Sequence, residues 1–216
     1  MRNAEAVHDL ETDLRRIFTT RMQSLVIYGG ADAHDGPVAT LAVVESVNAT
    51  DLRHCAERVP LWHGRGLGTP LILEADEFGR SLDAFPFEFG AILADHEVVW
   101  GRNPFAGLAV DAADLRRACE VQARSHLLHL REGFMETEGR NDRLAELVVR
   151  SAAPLAALLK NMARLSGAPP ASEALLRVAE LAANGTISSD EARRLFPAYL
   201  EAVDELAGQL DRWSAA

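Results

Sequence analysis

The residues best suited to chemistry begin with Gly29 and Gly30, which close an apolar run in LVIYGGADAHDGPVATLAVVE, residues 25–45. Two glycines after a strand let the backbone approach a phosphate, and the N–H groups that follow face its negative charge; the same pair also builds a plain tight turn. Phosphate chemistry of this kind needs carboxylates to hold a metal. The nearest acids are Asp32 and Asp35 in the loop, with Asp83 and Glu88 further on in SLDAFPFEF. Those two face a substrate on one reading; on the other they point to water from a strand in which Phe85, Phe87 and Phe89 alternate. His34, His54 and His63 are potential metal ligands, but their spacing fits no metal motif, and His54 sits in the charged helical stretch LRHCAER. The glycine-rich LWHGRGLGTP, residues 61–70, offers Arg65 and backbone amides to an anion, or simply connects a helix to a strand.

Composition narrows the classes. At 216 residues, 48% of them hydrophobic, the chain can bury one sizeable core or two modest ones. A formal charge of -10 argues against a nucleic-acid footprint, which draws on clustered cations. Here the arginines are interleaved with acids and Lys160 is the sole lysine. Cys55 and Cys119 are too few and too far apart for a disulfide framework or metal knuckle, and read as small apolar residues in a reducing compartment. No apolar stretch is long enough to span a membrane, and the first residues lack a signal-peptide pattern, so the expected location is cytoplasmic.

Positioning these residues requires elements. AEAVHDLETDLRRIF carries Val7, Leu10, Leu14 and Ile17 at helical spacing. SLVIY and VATLAVVE are runs rich in β-branched residues, as in strands buried on both faces. A helix follows over residues 48–59 with Asn48 or Thr50 as its cap; TPLILE is a third strand, residues 74–82 a short helix, and FPFEFGAIL and HEVVWG further extended segments. From Leu108 onward the pattern is helical. Leu115, Cys119, Ala123, Leu127, Leu130 and Phe134 form one stripe, and Leu144, Val148, Leu155, Leu158, Met162 and Leu165 another, with a kink expected at Pro154. GAPPAS, residues 167–172, breaks the pattern before a third helix. A fourth starts at a Ser188/Glu191 capping box, and Pro197 threatens to split it. The fold class expected is α+β: a small mixed-sheet domain over residues 1–108, then an up-and-down helical bundle over residues 109–216.

The strand ending in Tyr28-Gly29-Gly30 and followed by a second buried strand resembles the polymerase-beta-like nucleotidyltransferase superfamily, in particular its small bacterial and antibiotic-modifying members with a C-terminal bundle. The resemblance implies nucleotide binding at Gly29 and Gly30. It also implies an acid pair at i and i+2 on the second strand, holding divalent metals that activate the acceptor hydroxyl and stabilise the leaving pyrophosphate. Here that pair would fall at Val38 and Thr40, or at Thr40 and Ala42, and neither choice supplies a carboxylate. The family's third acid, on a later strand, would correspond to Asp83 or Glu88. The chain is thus read as a degenerate, non-catalytic member that binds a nucleotide or a partner, with no cofactor. The alternative is an active transferase using Mg with displaced carboxylates such as Asp32, Asp35 and Asp83. A second resemblance, of Arg124 and His129 in RSHLLH to the Arg and His of HEPN ribonuclease domains, implies RNA cleavage in the bundle, with His126 as a further imidazole. Members of this layout also pair through their helices, so a homodimer is expected.

Overall fold

The computed structural model describes residues 4–29, 36–167 and 172–213. Gly30, Asp32, His34, Asp35 and most of the GAPPAS break lie outside the described residues. The chain divides into two compact units, Met1–Asp111 and Ala112–Ala216.

In the first unit, helix α1 (Ala4–Phe18) leads through a short 3-10 turn into β1 (Met22–Tyr28), followed by β2 (Ala39–Val44), α2 (Ala49–Gly64), β3 (Leu71–Glu74), α3 (Glu77–Arg80), α4 (Pro86–Ala94) and β4 (His96–Gly101). The four strands lie in the order β3-β2-β1-β4. β1 runs antiparallel to both β2 and β4, whereas β2 and β3 are parallel, with α2 as the crossover that parallel neighbours require. Alternation along the strands sends Leu25, Ile27, Ala42 and Val44 to one face, against Leu10 and Leu14 of α1 and Trp62 of α2. Val26, Leu41, Val43 and Leu73 pack on the other face with Phe78, Phe89, Ile92 and Phe105. Apolar β-branched runs form the two central strands because both faces are covered. Gly101 is required by contact, since a Cβ there would lie 2.1 Å from the Gln23 carbonyl oxygen.

Polar anchors fix the helices. Asn48 caps α2 in a full capping box: its Oδ1 accepts from Thr50 and Asp51 N–H, and Asp51 Oδ2 accepts from Asn48 N–H. Arg21 donates to both Asp51 oxygens, at 2.6 and 2.8 Å. Asp13 of α1 accepts from Arg58 twice and from the Trp62 indole N–H. That last bond and the burial of Trp62 explain why α2 runs beyond residue 59, through Pro60, to Gly64.

One expected strand is corrected. FPFEFGAIL is not extended: Pro86 sits in the first turn of α4, where its missing N–H costs nothing, and Pro86, Phe89 and Ile92 recur at threes to make the buried side. The Phe alternation was coincidental; Phe85 is exposed and Phe89 buried.

Among the described residues the second unit is four helices, α5 (Ala112–Glu136), α6 (Asn141–Ser166), α7 (Glu173–Asn184) and α8 (Ser189–Arg212). Leu127, Leu130, Val148, Leu155, Val203 and Leu206 are buried in its core, each contributing about 1.5 to 3 kcal/mol of transfer free energy. Pro197 does not split α8, which continues past it. Only half of the expected box at its start is made: Ser188 Oγ accepts from Glu191 N–H, while the Glu191 carboxylate turns to Arg177. A polar chain crosses this core, with His126 Nε2 2.5 Å from Tyr199 Oη, Tyr199 donating to Ser151 Oγ at 3.0 Å, and Ser151 donating to the Val148 carbonyl at 2.8 Å.

Candidate functional site

β1 delivers the glycine turn at one end of the sheet. Gly29 has φ +68, a left-handed conformation suited to glycine, and its N–H donates to the Asp95 carbonyl at 3.1 Å. Beside it, Ala39, Tyr28 and His96 form one cross-strand row, and Thr40, Ile27 and Glu97 form the next. His96 Nδ1 sits 3.0 and 3.2 Å from the Ile92 and Leu93 carbonyls, so that nitrogen carries the proton and ties α4 to β4. Burial pushes the Tyr28 hydroxyl pKa up.

On β2 the positions of the expected acid pair are sealed. Thr40 and Ala42 are both 0% exposed, and they share with Val38 the face that α1 and α2 cover. The Thr40 hydroxyl is buried without a hydrogen-bond partner among the described residues. Ala39, Leu41 and Val43 of the opposite phase are apolar as well, so neither phase of β2 projects a carboxylate.

The other candidates are dispersed. Asp83 is exposed in the turn after α3 and Glu88 is exposed on the first turn of α4; neither lies on a strand. Glu97 was missed by the sequence reading although HEVVWG was recognised as extended. It is exposed on β4 in the same cross-strand row as Thr40, with Ile27 of β1 between them. Among the described residues, no group of three His, Cys, Asp or Glu side chains is placed to hold a metal ion. His54 is exposed on α2, and His63 Nε2 is 2.9 Å from Thr69 Oγ1. The glycine-rich segment has spent its amides: those of Arg65, Gly66, Leu67 and Gly68 donate to Trp62, His63, Trp62 and Val38 carbonyls, and Arg65 pairs with Asp9. It closes onto the sheet rather than presenting a nest for an anion.

In the bundle, Arg124 and His129 line different grooves. Arg124 pairs with Asp211 and Glu120 and lies in the groove between α5 and α8, whereas His129 faces the one between α5 and α6. Five residues apart on a helix places them well over a right angle apart around its axis. Both thiols are inert by burial, Cys55 raised to about 11 and Cys119 to about 12. No helix among the described residues is long and apolar enough to cross a membrane.

A small mixed sheet with a glycine turn at the end of its first strand, followed in the chain by a four-helix bundle, is a nucleotidyltransferase-like fold. Among solved structures it is similar to spectinomycin adenyltransferase AAD(9) from Enterococcus faecialis, determined with ATP and spectinomycin, with a TM-score of 0.51 at 9% identity over 96% of this chain and 99% of that one. At that identity the likeness is one of fold. No family model and no curated protein matches the sequence.

Proposed function

We propose that this chain is a nucleotidyltransferase-fold module that binds a nucleotide or a protein partner without transferring a nucleotidyl group. The observation that carries the reading is the second strand, where Thr40 and Ala42 stand fully buried in place of metal-binding acids. Two-metal transfer needs carboxylates open to metal and to the triphosphate, and a sealed apolar face supplies neither. The Gly29–Gly30 pair is the part assigned to a nucleotide, with no metal required. Asp83 and Glu88 are then solvated surface acids. A cytoplasmic location goes with this reading, in keeping with two free, buried thiols. Pairing of two copies through the bundles is part of it too, since it would cover Val121, Leu128 and Met135, which stand exposed at seven-residue spacing along α5.

The test is thermal denaturation with each nucleoside triphosphate, with and without magnesium or manganese. A ligand at about a hundred times its Kd adds roughly 2.7 kcal/mol, a shift of several degrees at this size. A metal-independent shift, lost on replacing Gly29 with Val, is the expected result for nucleotide binding. A shift that appears only with metal would overturn the non-catalytic reading and point to displaced ligands, with Glu97 the first to substitute. No shift with any triphosphate assigns the fold to partner binding.

A further inference from the structure

The bundle holds a cavity of about 490 Å³ between α5 and α6, well away in sequence from the glycine turn. Its inner wall is His126, 9% exposed, flanked by the apolar surfaces of Leu130, Leu147 and Pro154; Glu132 and Glu136 line it on α5. The proton positions around His126 follow from the polar chain behind it. The Val148 carbonyl can only accept, so Ser151 donates its one proton there; Tyr199 must then donate to Ser151, and Tyr199 Oη is left to accept from His126 Nε2–H. His126 therefore has its proton on Nε2 and a lone pair on Nδ1. Burial, with a smaller effect from His129, lowers its pKa to about 4, so the ring is neutral at pH 7.

Nδ1 has no hydrogen-bond partner among the described residues. The buried side-chain polar atoms lacking a partner there are Ser24 Oγ and Thr40 Oγ1, so Nδ1 is accessible, and the cavity is the opening that His126 lines. Glu136 also has no side-chain partner among the described residues, and Glu132 lies 3.6 Å from the exposed His129. The wall thus offers one neutral acceptor and two anionic ones around an apolar surface. Arg150 is the one arginine or lysine lining it.

We propose that this cavity is a binding site for a small primary amine with an apolar body, whose N–H donates to His126 Nδ1, whose charge is met by Glu132 and Glu136, and whose apolar part lies on Leu130, Leu147 and Pro154. The site is independent of the glycine turn, so its test contains no nucleotide.

Phenethylammonium is titrated into the full chain by calorimetry and by NMR of the histidine ring nitrogens, alongside phenylacetate and 2-phenylethanol, which keep the apolar body but carry a negative charge or none. The expected result is saturable amine binding that shifts the His126 Nδ1 resonance and is at least tenfold tighter than that of either control. E132Q/E136Q, both at exposed positions, should weaken it roughly fivefold or more. His126→Phe, which keeps a ring of similar shape but carries no lone pair, should abolish the preference for the amine. The proposal is overturned if the His126 resonance does not move, if E132Q/E136Q binds as tightly as the parent, or if phenylacetate binds as well as the amine, which would make Arg150 the determinant.

Discussion

Replacing Thr40 tests directly whether the face of β2 covered by α1 and α2 is sealed. The side chain is 0% exposed and its hydroxyl has no partner among the described residues, so the folded state bears the desolvation cost of a polar group with nothing in return. Thr40→Val exchanges that hydroxyl for a methyl among Ile27, Val38 and Ala42 and should stabilise the protein by about 1 to 2 kcal/mol, or roughly 2 to 8 °C in midpoint. Thr40→Asp places a carboxyl at the same position, and should do the opposite. A carboxyl in a fully buried site has its pKa raised by about 3 to 5 units, and at about 1.36 kcal/mol per unit the charged form costs about 4 to 7 kcal/mol at pH 7. Because the folded pKa is raised, that penalty is complete above it and disappears as pH falls toward the unfolded value near 4. The assay is chemical denaturation of parent, Thr40→Val and Thr40→Asp at pH 7 and pH 5, with and without magnesium. An aspartate variant as stable as the parent at pH 7, and further stabilised by magnesium, would refute the sealed face and with it the ground for a non-catalytic reading.

Acid should weaken the bundle through His126. Its folded pKa is lowered to about 4, so below the ordinary value near 6.5 the unfolded chain takes up a proton that the folded one refuses, and about 3 kcal/mol of stability is lost by pH 4. Denaturant titrations of parent and His126→Gln across that window isolate the effect from the carboxylates; superimposable pH profiles would contradict it. Pairing through α5 predicts a doubled mass by light scattering, reverting to that of one chain in Leu128→Glu; a single-chain mass for the parent at tens of micromolar would remove the dimer from the reading.

What the sequence determined by itself was set by local pattern. The seams of the bundle are written at three- and four-residue spacing, and Leu127, Leu130, Val148, Leu155, Val203 and Leu206 are buried accordingly. The two central strands are written as continuous β-branched runs, because strands covered on both faces have no polar phase. That VATLAVV holds no carboxylate in either phase was equally legible. Tertiary structure decided the rest. FPFEFGAIL carries both a two-residue and a three-residue apolar period, and packing of Phe89 and Ile92 against Val26, Leu41 and Phe78 selected the helix. Glu97 joins the row of Thr40 only through strand pairing across β1, a relation with no local signature. The lone pair of His126 is fixed by Ser151 and Tyr199, which lie 48 residues apart in the chain, and by a carbonyl that can only accept. Spacing along one element can be read from residue types because it repeats with the backbone's own period. Which side chains meet across elements depends on how those elements pack, and no single stretch of sequence carries that information.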